Sequence, residues 1–170
     1  MAVSVAYWPS DGRGDRDVVG KEVGMVEVRM LWAEPAREVI RSAPPSLDGF
    51  WSVIYAAATA ATWLGESDPC RWDSTCLEAA LDLTEALGEI EWVDPAVVTG
   101  DTVDLGPVTP LDTFDDCFAQ AAQLIRDAVG FAVGLLGESP IRWEHRDLIA
   151  VSRAVTLLSR AYTRLTGTLL

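Results

Sequence analysis

Four carboxylates stand at i, i+4, i+7 and i+11: Glu78, Asp82, Glu85 and Glu89. On a helix this spacing lines them along one face. Such acids can hold Mg2+ when a second set faces them, as a small all-helical metal-dependent nucleotide hydrolase would require. The facing candidates are Asp112, Asp115 and Asp116, which open a later helical segment where the helix dipole already favours acids. The simpler reading, and the preferred one, is a solvated acidic face. Arg146, Arg153, Arg160 and Arg164 form a matching basic stripe further along the chain. Either the two stripes pair inside the fold, or each faces solvent and together they make a dipolar surface that steers partners.

Nucleophilic catalysis has little to work with. His145 is the only histidine, so any Ser/His/Asp or Cys/His arrangement would have to use it. The cysteines, Cys70, Cys76 and Cys117, include no CxxC pair, and three cannot all pair within one chain. The expectation is reduced thiols in a cytoplasmic protein, with no metal site and no cofactor. Asp11 to Asp17 contains an Arg-Gly-Asp tripeptide, read here as a polar turn because the first residues lack the features of a secretory leader. No Gly-rich phosphate loop, nucleophile elbow or HExxH motif occurs.

Charge points elsewhere. The 170 residues carry 26 acids against 13 bases, a formal net charge of -13. Direct nucleic-acid binding is therefore disfavoured, since it needs a basic patch. The acidity is concentrated: residues 89–116 contain no basic residue at all. Trp8, Trp32 and Trp92 fall in or beside this stretch or in segments with strand-like alternation. Aromatic residues ringed by acids suit the binding of a basic partner.

These residues need elements to carry them. Leu64-Gly65-Glu66-Ser67-Asp68-Pro69-Cys70-Arg71-Trp72 recurs, with one deletion, as Leu136-Gly137-Glu138-Ser139-Pro140-Ile141-Arg142-Trp143. The match continues from Leu77, Ala79 and Leu87 to Leu148, Ala150 and Leu158, so Asp82 aligns with Arg153 and Glu89 with Arg160. This reads as two copies of one helical hairpin, at 46–88 and 110–170. In each bend Gly65 or Gly137 suits a left-handed helix end, Pro69 or Pro140 stops the helix, and Arg71-Trp72 or Arg142-Trp143 closes over the hairpin. Thr75-x-x-Glu78 reads as a capping box for the second helix of the first copy.

Leu148, Val151, Val155, Leu158, Tyr162 and Leu165 follow 3-4 spacing, predicting an amphipathic helix over 144–167. Phe114, Phe118, Ala121, Ile125, Ala128 and Ala132 do the same for 112–136. Residues 50–64 and 128–137 are apolar all round, predicting buried central partners. A short helix is expected over 34–42, with Pro35 in its first turn. Alternation at Val3, Val5 and Tyr7, then at Val26, Val28, Met30 and Trp32, suggests two N-terminal strands. Gly100-Asp101 between β-branched runs suggests a hairpin in an otherwise irregular acidic connector.

The expectation is one mainly α domain over 1–170. Its parts are an N-terminal β element plus short helix (1–45), hairpin copy 1 (46–88), an acidic connector with a possible β-hairpin (89–109) and hairpin copy 2 (110–170). The two hairpins form a four-helix core. The expected function is non-catalytic: an acidic protein-binding module of the inhibitor, immunity or antitoxin kind. It would meet a basic protein through Glu78, Asp82, Glu85, Glu89, Glu91, Trp92, Asp94, Asp101 and Asp104. The alternatives are the metal-dependent hydrolase and a scaffold subunit, the latter with homo-oligomer formation through apolar helices. Neither nucleic acid nor membrane is an expected partner.

Overall fold

A computed structural model describes residues 32–67, 73–99, 102–108, 113–138 and 143–170. The two strands expected before residue 32, the Arg-Gly-Asp turn, Trp8 and Cys70 lie outside these residues. So do Pro69, Arg71, Trp72, Asp101, Asp112, Pro140 and Arg142.

Five α-helices run through the described residues: α1 (Ala33–Ser42), α2 (Leu47–Ser67), α3 (Asp73–Val93), α4 (Phe114–Glu138) and α5 (His145–Thr166). A 3-10 helix, Pro95–Thr99, follows α3. The chain is mainly helical, as its 3.6-residue periodicity dictates.

α2, α3, α5 and α4 form a ring in which each packs on two neighbours, and α1 lies against α4 and α2. The backbones of the diagonal pairs, α2 with α5 and α3 with α4, do not approach closely. The ion pairs between α3 and α5 pair late residues of one with early residues of the other, so these helices are antiparallel. The Phe50 ring stacks on Phe131, 6.3 Å between centroids. The start of α2 thus lies beside the last third of α4, and this pair is antiparallel too.

The core follows the sequence pattern closely along α2. Phe50, Val53, Ile54, Ala56, Ala57, Ala60, Ala61 and Leu64 are wholly buried. Small alanines on several faces let α1, α3 and α4 all approach one rod. Gly49 is required by packing: a Cβ there would stand 1.9 Å from the Pro44 carbonyl oxygen.

Several expectations need correction. Residues 128–137 are not buried all round. Ala128, Ala132 and Leu135 face the core, while Gly130, Val133, Gly134, Leu136 and Gly137 face outward. The ring gives α4 only α2 and α5 as long neighbours, and the short α1 lies along its earlier half, leaving a cleft lined by Gln120, Gln123, Leu124 and Asp127. Gly65 and Gly137 do not end their helices in the left-handed region. Both lie inside α2 and α4, and among described glycines only Gly106 and Gly167 have positive φ. Gly65 instead makes room for Leu77 of α3, whose side chain would stand 2.9 Å from an added Cβ. Thr75 does not cap α3, because the helix already begins at Asp73 and the Glu78 carboxylate turns to Arg164.

No strand occurs among the described residues, so the connector hairpin is not formed. Asp94 Oδ1 accepts the Ala96 N–H at 3.1 Å, starting a tight 3-10 turn that drives Val97 fully into the core. Residues 102–108 follow without regular structure, with Val103, Leu105 and Val108 packed on the core. A lone two-stranded hairpin is marginal, and the side chains that would stabilise it gain more by packing on the bundle.

Candidate partner-binding surface

The acidic stripe of α3 meets the basic stripe of α5 along a seam. Asp82, 4 % exposed, is its centre. Asp82 Oδ1 accepts Arg160 Nε at 2.9 Å and also its Nη2, while Oδ2 accepts Arg164 Nε at 2.7 Å. Arg160 Nη2 also reaches Glu85 at 3.3 Å, Arg164 Nη1 pairs with Glu78, and Arg153 Nη1 lies 3.4 Å from Glu89. The hydrogen bond to Asp82 and its charge hold the Arg160 guanidinium above its ordinary pKa. The fourth arginine of the stripe, Arg146, bonds locally to Glu144 and Asp147. Of the two arrangements open to the stripes, the fold adopts internal pairing.

The remaining acids are held differently. Glu91 Oε1 accepts the Trp51 indole N–H at 3.0 Å, and Asp104 Oδ1 accepts the Trp63 indole N–H at 2.7 Å and the Gly106 N–H at 2.8 Å. Asp116 shares a hydrogen bond with the Thr113 hydroxyl, 2.5 Å away. These donors are neutral, so each carboxylate is positioned without its charge being cancelled. Sequence reading missed this role for Trp51 and Trp63. A signal existed, since a tryptophan in a core helix must find an acceptor for its one N–H.

The tryptophans divide. Trp32, expected on the binding surface, is only 4 % exposed beside the start of α1, because its ring fills the core edge. Trp92 is 73 % exposed at the end of α3. Trp143 is half-buried and packs against the core before α5.

Among the described residues, the two acid sets of the hydrolase reading are not brought together. Glu78, Asp82, Glu85 and Glu89 of α3 point at α5, whereas Asp115 and Asp116 open α4, which lies diagonally across the bundle from α3. Among the described residues no group of three or more His, Cys, Asp or Glu is placed to hold a metal ion. Cys76 is sealed in the core, where burial pushes its thiol up to about 11, and His145 is exposed at the start of α5. A thiol that is buried and protonated at neutral pH is not a nucleophile. No described helix is long and apolar enough to cross a membrane.

Comparison with protein-family models, with curated proteins and with solved structures finds no match.

Proposed function

We propose that this chain is a non-catalytic, acidic protein-binding module of the inhibitor, immunity or antitoxin kind, acting on a basic partner in the cytoplasm. One observation carries the reading. The seam arginines are spent on α3, while among the described residues Glu91, Asp104 and Asp116 are held by neutral donors. Ordered anions with no cation beside them among the described residues leave a negative field along the path of the connector, from Glu91 at the end of α3 to Asp104 and Asp116 near the end of α2. Such a field speeds association and selects partners of opposite sign more than it adds affinity.

We also read the bundle as one helical hairpin copied once. Each helix lies antiparallel beside its counterpart, α2 by α4 and α3 by α5, as rotation about a two-fold axis across the bundle requires. Under the repeat alignment, Asp82 exchanges with Arg153 and Glu89 with Arg160, so the Asp82–Arg160 pair exchanges with the Glu89–Arg153 pair. One copy carries acids where the other carries arginines.

Affinity capture with the tagged full chain at low and high salt tests the function. The expected result is a basic protein held at low salt and released at high salt, with slower association for the E91Q/D94N/D104N variant. A partner held equally at both salts, or a captured partner without basic character, overturns the reading.

A further inference from the structure

The outward face of α3 carries Leu81, Gly88 and Trp92, at i, i+7 and i+11, beside the acidic seam, with Leu77 one turn earlier turned partly toward Gly65 of α2. Leu81 is 69 % and Trp92 73 % exposed, and Leu77 is 41 % exposed. The second hairpin supplies an internal comparison. By the repeat alignment, Leu81, Gly88 and Trp92 correspond to Ser152, Ser159 and Thr163 of α5, the residue types expected toward water. At two of these positions, Leu81 against Ser152 and Trp92 against Thr163, the residue is large and apolar in the first copy and polar in the second.

Gly88 adds a separate observation. A Cβ there would meet nothing within 4 Å, so no internal contact requires glycine, and a glycine inside an exposed helix costs stability. Its absent side chain opens a surface recess of about 340 Å³ lined by Gly88, Glu89, Trp92 and Arg153. A large side chain from outside can seat there against the indole.

We infer that this face docks an amphipathic basic helix of the partner, with one anchor side chain in the Gly88–Trp92 recess; the inference rests on the protein-binding reading above. Charge selects the occupant. α3 has six acidic residues and no basic one; Glu78, Glu85 and Glu89 are shared with Arg164, Arg160 and Arg153 of the seam, and Glu91 beside Trp92 is held by the neutral Trp51 indole, so the face keeps a net negative charge. A second copy of α3 would set like charges against each other, whereas Lys and Arg flanking an apolar helix face would meet opposite ones.

The test titrates the isotope-labelled full chain with a synthetic helix of about four turns. It has leucines on one face and lysines on the other, and a control peptide replaces every lysine with glutamate. The lysine peptide should bind and move the Trp92 indole N–H resonance, assigned by its loss in Trp92→Thr. The L81S/W92T variant, which places the second hairpin's residues on the first, should keep its Tm and bind about tenfold more weakly or worse. Gly88→Gln, which fills the recess with a helix-favouring side chain, should also weaken binding without lowering Tm. Equal binding by L81S/W92T, or equal binding of the glutamate peptide, overturns the docking site. If L81S/W92T binds normally and E91Q/D94N/D104N does not, the docking face falls while the acidic-module reading stands. If the parent chain binds no lysine peptide even at low salt, both fall.

Discussion

Asp82 shows how the cost of losing a charge depends on which partner is left behind. It is nearly sealed from water, while Arg160 and Arg164 keep 51 % and 35 % of their side chains exposed. Removing the carboxylate frees two guanidiniums that can turn to solvent or to Glu85 and Glu78. Removing both guanidiniums strands a buried anion. Asp82→Ala should therefore cost about 1–2 kcal/mol, and the R160A/R164A double variant about 3–5 kcal/mol, measured by urea unfolding. Glu85→Gln should cost under about 0.5 kcal/mol, because that pair is exposed and a second acid already holds Arg160. If Asp82→Ala proves the costlier change, the seam is organised around the arginines instead. The four acids were visible in the sequence as a stripe. Their partners were visible as a second stripe, but pairing depends on which helices become neighbours, and spacing within one helix does not encode that.

At the scale of the element, strong periodicity was legible to within a residue or two. Leu148, Val151, Leu158, Tyr162 and Leu165 announce α5, and the Pro35 segment becomes α1. Two kinds of feature were not legible. A segment apolar on all sides has no polar side to mark its outward face, so 128–137 read as buried although Val133 is 64 % exposed. A glycine near a bend looks like a helix terminator whether it serves the backbone or a neighbour, and only the approach of Leu77 distinguishes the role of Gly65. The same contrast makes a prediction. Gly49→Ala forces a methyl against the Pro44 carbonyl and should cost about 1–3 kcal/mol. Gly134→Ala meets open space inside a helix and should stabilise by about 0.5–1 kcal/mol. Thermal unfolding of the two variants should show Tm moving in opposite directions. A shared direction would mean that α2 or α4 packs differently from the arrangement described.

For the whole molecule, the formal net charge of -13 opposes compactness while the seam supports it. Salt acts unequally on the two. It screens repulsion among exposed acids that lie more than a Debye length apart, about 10 Å at 0.1 M, and reaches the buried Asp82 much less. Added NaCl should therefore raise Tm by a few degrees, with most of the gain at low ionic strength, as scanning calorimetry would show. A falling Tm would mean that attraction across the seam outweighs the repulsion. The seam has one more consequence, which follows from its sign. Its α3 side is anionic and its α5 side cationic, so neither hairpin can zip to its own twin along that edge without setting like beside like. A chain severed between the hairpins should then self-sort: fragments mixed in solution recover the bundle by finding their complement, and each alone stays single.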